Sequence, residues 1–113
     1  MAYKYSFEKL EVYGITNSFP DKEKFGLSSQ LQRASVSVVS NIAEGISRNS
    51  NKEKMRFLEM SYGSLMEVYC QLHIAVNLTY ISEDKLFEIK ELIDKIANKL
   101  NALTRPFQKR IPN

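Results

Sequence analysis

Cys70 and His73 are the residues of this chain whose types and spacing come nearest to a reactive or metal-binding centre. They lie three positions apart, so a helix would put a thiol and an imidazole on one face, where they could share a metal ion. A zinc site needs about four ligands, and the chain has one cysteine and one histidine. We therefore interpret the pair as a semi-buried thiol beside a surface imidazole, and we predict no metal and no cofactor.

Other known kinds of catalytic site are excluded because the residues that they require are absent from the sequence or cannot be assembled. A di-iron site in a helical bundle needs Glu-x-x-His pairs on two helices, but Cys70 stands three positions before His73 and no second histidine exists. No Ser/His/Asp set can be assembled, and the glycines form no phosphate loop. We predict that the chain is not an enzyme and has no small-molecule substrate.

A polar ridge runs along residues 28–48 at steps of three and four residues. Its members are Arg33, Ser37, Asn41, Glu44 and Arg48. Glu44 and Arg48 are ordered for an i,i+4 ion pair, which contributes roughly a few tenths of a kcal/mol. The ridge fits a subunit interface or a nucleic-acid face, and it also fits a solvated face with one ion pair.

Apolar residues at helical spacing define the elements that hold these side chains. Two seams repeat every three or four residues, the first being Leu58, Tyr62, Leu65, Tyr69, Leu72 and Val76, and the second Leu86, Ile89, Ile93, Ile96, Leu100, Leu103 and Phe107. Ser50 with Glu53 predicts a capping box, and Ser82 predicts another N-cap. We predict four helices near residues 7–18, 28–48, 51–79 and 83–104, and no sheet.

Residues 35–38 have a competing interpretation, because Ser-Val-Ser-Val alternates like a strand. The apolar residues around them nevertheless recur at helical spacing, and no partner strand is visible, so we predict a helix. Gly45 weakens that helix by about 1 kcal/mol relative to Ala, which predicts a role in close packing. Gly63, between Ser61 and Ser64, is also interpreted as a close-packing residue within the bundle rather than part of a cleft.

Length and composition fit one domain over residues 1–113, and the helical spacing predicts an all-α bundle of four helices with a short first helix. The chain is 43% hydrophobic and 26% charged, and no apolar run approaches the ~20 residues of a membrane span. With one cysteine there is no internal disulfide, so we expect a reducing, cytoplasmic setting.

The net charge of +3 is small, but an up-down-up-down order of the four helices would concentrate it. In such a bundle the N-terminus, the turn between the second and third helices and the C-terminus share one end. Nine basic residues against four acidic ones give that end +5: Lys4, Lys9, Arg48, Lys52, Lys54, Arg56, Arg105, Lys109 and Arg110 against Glu8, Glu11, Glu44 and Glu53. The opposite end sums to −1. We expect nucleic acid to bind at Arg48, Lys52, Lys54, Arg56, Arg105, Lys109 and Arg110, and the alternative is ordinary solubility charge.

Residues 7–80 resemble the four-helix-bundle proteins encoded in intervening sequences of bacterial large-subunit ribosomal RNA genes. The matching pieces are Phe7–Val12, Phe19-Pro20, Glu23, Phe25-Gly26-Leu27, Gln30-Leu31, Arg33-Ala34, Val36–Val38, the distinctive Ser40-Asn41-Ile42-Ala43-Glu44-Gly45, Arg48, Phe57-Leu58, Gly63-Ser64-Leu65, Glu67 and Gln71-Leu72. The resemblance implies an up-down bundle, commonly assembled as a homopentameric ring, and no catalytic residues. Related accessory proteins of diversity-generating retroelements form similar rings and bind nucleic acid.

One departure from the family is the short first helix, because only residues 13–18 separate the Leu-Glu-Val piece from Phe19-Pro20. A first helix this short leaves part of the apolar seam of the third helix uncovered, so another chain or the N-terminal aromatic residues must cover it. We expect a self-associating bundle, most simply a pentamer, that contacts RNA or DNA through its basic end, with Arg33, Ser37, Asn41 and Glu44 in the subunit interface. The alternative is a protein-interaction module without a nucleic-acid role.

Overall fold

The computed structural model describes residues 12–108, and its regular elements are all helical. The α-helices are α1 (Val12–Thr16), α2 (Leu27–Ser47), α3 (Asn51–Asn77) and α4 (Glu83–Gln108), with one 3-10 turn at Asp21–Glu23. No strand occurs between residues 12 and 108, so the predicted all-α fold and the helical interpretation of residues 35–38 are confirmed. Residues 7–11 of the predicted first helix lie outside the described range.

The predicted end of the fourth helix at residue 104 is wrong, because α4 continues through Pro106 to Gln108. A proline this close to the C-terminal end of a helix removes one backbone hydrogen bond and leaves most of the helix intact. Leu103 and Phe107, on either side of it, are partly buried against the core. The packing of this apolar seam therefore outweighs the local preference of proline to end a helix.

The core lies along α2, α3 and α4, with α1 covering one end of it. Its most deeply buried large side chains come from all three long helices, and they are Leu31, Val38, Ile42, Leu65, Val68, Leu72, Ile93, Ile96 and Leu100. The two predicted seams supply five of these nine residues, and α2 supplies three more. Tyr62, a member of the first seam, is an exception because it is 36% exposed. Among residues 12–108, no helix is long and apolar enough to cross a membrane.

Small residues bring α2 and α3 close together. The buried Ser61 hydroxyl donates to the carbonyl oxygen of Val38 at 2.6 Å. A Cβ atom added to Gly45 would lie 3.3 Å from atoms of Lys54, Phe57 and Leu58, so the predicted close-packing role of Gly45 is confirmed. The same prediction for Gly63 is wrong, because a Cβ there would meet nothing within 4 Å. Its neighbour Ser61, about 160° around the helix, makes the close contact instead.

The end of the bundle away from the α2–α3 turn is fixed by contacts between its two connections. Tyr80 packs on Phe19 with ring centroids 5.3 Å apart, and its hydroxyl donates to Glu23 Oε2 at 2.7 Å. Glu23 Oε1 also accepts the backbone N–H of Leu27 at 3.2 Å, which caps the start of α2. These hydrogen bonds, chiefly the one from Tyr80, lower the pKa of Glu23 and raise the pKa of Tyr80.

Candidate subunit and nucleic-acid interfaces

Cys70 and His73 lie on the outer surface of α3. Both are exposed, so the predicted semi-buried position of the thiol is wrong. The His73 ring meets Tyr69 edge to face, with centroids 4.6 Å apart. In residues 12–108, no group of three His, Cys, Asp or Glu side chains is placed to hold a metal ion.

The turn between α2 and α3 forms a compact basic surface, which we call the α2–α3 corner and define as Arg48, Lys52, Lys54, Arg56 and Phe57. Ser50 is the N-cap of α3, and its Oγ accepts the Glu53 backbone N–H at 3.1 Å, which confirms the predicted cap. Lys54 Nζ donates to the carbonyl oxygen of Ile46 at 3.1 Å, close to the C-terminal end of α2. A cation at that position also suits the helix dipole.

Phe57 organises the two arginines of the α2–α3 corner. The Arg48 guanidinium lies 4.9 Å from the centre of the Phe57 ring, and the Arg56 guanidinium lies 5.5 Å from it. Each arginine also pairs with an acid, Arg48 with Glu44 and Arg56 with Glu53, the second pair at 3.4 Å. The predicted Glu44–Arg48 ion pair is therefore confirmed. Together the ring and the carboxylates hold both guanidinium groups in place.

The two carboxylates reduce the positive charge of this end. Within residues 12–108, the predicted basic end contains Arg48, Lys52, Lys54, Arg56 and Arg105 against Glu44 and Glu53, which leaves +3. Lys52 and Lys54 make no ion pair with any acid in this range. Arg105 is exposed on α4 and makes no ion pair within residues 12–108. Lys4, Glu8, Lys9, Glu11, Lys109 and Arg110 lie outside that range.

The predicted interface residues on α2 divide into two kinds. Ser37 and Asn41 bind within the chain, since the Asn41 amide donates to both the Ser37 carbonyl oxygen and its Oγ at 2.9 Å. Ser37 Oγ also lies 2.8 Å from Ser64 Oγ on α3. Arg33 and Glu44 are exposed, and Arg33 makes no hydrogen bond or ion pair with residues 12–108. Arg33 and Glu44 are therefore the two predicted interface residues whose side chains another molecule can reach.

A groove of about 390 Å³ runs between α2 and α3, and Arg33 and Glu67 lie on its two walls. Gln71 is only 5% exposed, and its Nε2 donates to Gln30 Oε1 at 3.4 Å and to Glu67 Oε1 at 3.3 Å. Its Oε1 is buried and accepts no hydrogen bond within residues 12–108. Glu67 and Gln71 belong to the family resemblance, but the burial of Gln71 was not predicted, although a glutamine between the seam positions Tyr69 and Leu72 indicates a buried amide.

Two exposed aromatic residues were also missed. Phe25 is 90% exposed in the connection before α2, and Phe87 is 68% exposed on α4. The Lys24 ammonium lies 5.6 Å from the centre of the Phe25 ring. The signal for Phe87 was available, since it stands outside the seam that contains Leu86 and Ile89 and therefore points away from the core.

Comparisons with known proteins agree with this architecture. The model of the family described as 23S rRNA-intervening sequence protein matches residues 3–102. A solved structure from Bacteroides thetaiotaomicron, a protein of unknown function from the S23 ribosomal protein family, superposes with a TM-score of 0.80. The two chains are 19% identical, and the match covers 92% of this chain and 98% of the other, so the likeness concerns the fold. No curated protein matches.

Proposed function

Because this chain belongs to the 23S rRNA-intervening sequence protein family, we propose that it is a non-enzymatic, self-associating bundle that binds RNA or DNA. The α2–α3 corner is the binding surface, and a closed ring of five copies is the expected assembly. The observation that carries the proposal is the pair of guanidinium groups held on one Phe57 ring. The single, exposed Cys70 suits a reducing compartment, so the proposal includes a cytoplasmic location.

The corner presents two guanidinium groups beside one aromatic ring. Contact with Phe57 restrains Arg48 and Arg56, and a restrained guanidinium group loses less rotamer entropy when it binds an anion. Glu44 and Glu53 keep these groups paired in the absence of a ligand, and phosphate oxygens would replace carboxylate oxygens on binding. Lys52 adds an exposed cation one turn from Arg56.

This arrangement supports phosphate recognition more than base readout. The corner offers cations and a partly covered aromatic ring, and contacts of this kind position a nucleic acid without reading its sequence. We therefore expect weak, largely sequence-independent binding to structured RNA or duplex DNA. Its affinity should fall steeply as salt rises, because each neutralised phosphate releases counterions.

The test compares two triple variants that remove the same charge. Arg48→Gln/Lys52→Gln/Arg56→Gln changes the corner, and Lys54 is kept because it bonds the end of α2. Lys22→Gln/Lys24→Gln/Lys85→Gln makes the matched change at the opposite end. Fluorescence anisotropy with a labelled RNA hairpin and a labelled DNA duplex, at several salt concentrations, measures both. We expect the corner variant to bind at least about tenfold more weakly and with a flatter salt dependence.

Equal loss in the two triple variants would contradict the corner assignment, because the attraction would then be diffuse. Absence of binding by the wild type at low salt would favour the second candidate function, a protein-interaction module. That candidate is supported by the exposed apolar side chains of Phe25, Phe87, Met60 and Ile74, since exposed apolar surface is typical of protein contacts. Light scattering coupled to size exclusion tests self-association separately.

A further inference from the structure

The register of the helices shows which parts of α2 and α4 lie at the same height. Both helices run antiparallel to α3, so they point in the same direction. Ser37 contacts Ser64 and Gln30 contacts Gln71 across α2 and α3. On the other side of α3, Leu58 and Tyr62 share a groove with Leu100 and Thr104. Ser37 on α2 is therefore approximately level with Asn98 on α4.

Two exposed charges on each helix match in this register. On α2, Arg33 and Glu44 of the ridge lie eleven positions apart, and on α4 Asp94 and Arg105 are also eleven positions apart. Eleven residues span about three turns and about 16 Å, so each pair lies along one side of its helix. By the register above, Arg33 is level with Asp94, and Glu44 is level with Arg105. The signs are opposite at both heights.

The residues beside these charges are compatible with close contact. Between the charges α2 carries the short polar residues Ser37 and Ser40, and α4 carries Asn98 and Asn101, which can form hydrogen bonds with them. Beyond the charges, Phe25 and Phe87 lie at nearly the same height. They are the two most exposed large apolar residues in residues 12–108, and a contact that covers them would remove apolar surface from water.

We propose that the outer side of α4 in one copy packs against α2 of the next copy, with the two helices pointing in the same direction. Asp94 then meets Arg33, Arg105 meets Glu44, and Phe87 approaches Phe25. The contact joins two different surfaces, so repeating it closes a ring when the rotation between copies allows. The inference rests on the proposed self-association and names its two surfaces.

Charge complementarity favours a second copy over nucleic acid as the occupant of the α4 surface. Asp94 would repel phosphate, whereas Arg33 of another copy complements it. Within the chain Asp94 pairs with Lys90 at 2.8 Å, and Glu44 pairs with Arg48. In the proposed contact each acid would therefore lie between two basic residues, one from its own chain and one from the neighbour. This contact also assigns Arg105 to the subunit interface rather than to the nucleic-acid surface.

The test is a charge swap between copies. Arg33→Glu and Asp94→Arg each place like charges together, so each alone should raise the dissociation constant of the assembly by at least about tenfold. The double variant Arg33→Glu/Asp94→Arg restores opposite charges and should recover the wild-type mass. Lys95→Glu is the control, an exposed charge reversal on the neighbouring side of α4. Size exclusion with light scattering gives the mass, and circular dichroism confirms that helicity is retained.

The outcomes separate this inference from the self-association on which it rests. A monomeric wild type would overturn both. An oligomeric wild type whose mass survives both single reversals would overturn the α2–α4 contact alone. A double variant that stays dissociated while fully helical would overturn the Arg33–Asp94 pairing. Recovery in the double variant, with the Lys95→Glu control at the wild-type mass, supports the inference.

Discussion

Among residues 12–108, Thr79 is the one non-glycine residue with a positive φ angle. Its φ of 64° is in the left-handed region, where a β-branched side chain is strained. The conformation closes the end of α3, since the Tyr80 N–H bonds to the Ala75 carbonyl at 2.8 Å and the Thr79 N–H to the Val76 carbonyl at 2.9 Å. This is the hydrogen-bond pattern in which helices usually carry glycine. Because this chain has threonine at the position, a single substitution by glycine should increase its stability.

We expect Thr79→Gly to raise the free energy of unfolding by about 1 kcal/mol, because glycine adopts this conformation without the clash at Cβ. Urea unfolding followed by circular dichroism measures the change. Thr79→Val is the control, since it removes the hydroxyl that donates to the Leu78 carbonyl at 2.6 Å but keeps the branched Cβ. A glycine variant less stable than wild type would show that the hydroxyl matters more than the backbone strain.

The two mid-helix glycines should respond in opposite ways to alanine. Gly63→Ala should stabilise the chain by up to about 1 kcal/mol, because the new methyl group enters open space and helix propensity improves. Gly45→Ala should destabilise it, because the methyl group would press on α3, including the carbonyl oxygen of Lys54 at 3.3 Å. Thermal unfolding of both variants checks the prediction, and a shift in the same direction for both would contradict it.

At the scale of the elements, Glu23 and Tyr80 join the connection before α2 to the connection after α3. The link is pH dependent, because the Tyr80 hydrogen bond and the Leu27 backbone N–H lower the pKa of Glu23. A carboxyl group whose pKa is lower in the folded state stabilises the fold above its unfolded pKa, near 4.5 here. That contribution is lost as the pH falls through the lower, folded pKa.

We therefore expect the urea midpoint of the wild type to fall between pH 6 and pH 3 more than that of Glu23→Gln, which cannot titrate. Tyr80→Phe should also reduce the pH dependence, because it removes the largest cause of the lowered pKa. Glu91→Gln, at an exposed acid on α4 that makes no ion pair within residues 12–108, serves as the control and should keep the wild-type dependence. Identical pH profiles for the wild type and Glu23→Gln would show that the link contributes nothing to the acid response.

The elements could largely be predicted from the sequence, because apolar spacing and caps act locally. Ser50 was found as a cap, and the two seams defined α3 and α4. The extension past Pro106 was missed although the second seam reaches Phe107, because the tendency of proline to end a helix competes with the seam and only packing against the core decides between them. The position of Gly63 was missed because residue type was taken as the signal for close packing. Helical spacing does separate it from Ser61, which lies about 160° away and falls on the side of Leu58 and Leu65.

The candidate site was less predictable than the fold. The basic residues of the α2–α3 corner could be listed from the topology, but the pairing of Arg56 with Glu53 and the role of Phe57 depend on rotamers. The pairing of charges on α2 with charges on α4 could not be predicted from the sequence. It depends on how both helices are aligned along α3, and that alignment relates residues far apart in the chain. Counting charges along the sequence thus identifies which end of the bundle is basic. The structure adds which of those basic residues are already paired with acidic residues of the same chain.

At the scale of the whole molecule, binding and assembly are coupled through the direction of the helices. If copies associate with parallel axes, every α2–α3 corner faces the same side of the ring, and one nucleic acid can contact several corners at once. Linked contacts raise the overall affinity well above that of one corner, because the second contact forms at a high effective concentration. The single bundle, with +3 at this end in its described part, would bind weakly alone.

The variant Asp94→Arg separates this coupling from simple attraction. It adds two positive charges per chain and leaves the corner unchanged, so electrostatics alone predicts tighter binding to RNA and DNA. If the neighbour's Arg33 meets position 94, the variant instead dissociates and should bind at least about tenfold more weakly, because each bundle then binds through one corner. Fluorescence anisotropy at a chain concentration where the wild type is assembled makes the comparison. The double variant Arg33→Glu/Asp94→Arg, whose net charge equals that of the wild type, should regain wild-type affinity. Tighter binding by Asp94→Arg alone would show that assembly contributes nothing to nucleic-acid affinity and that charge decides it.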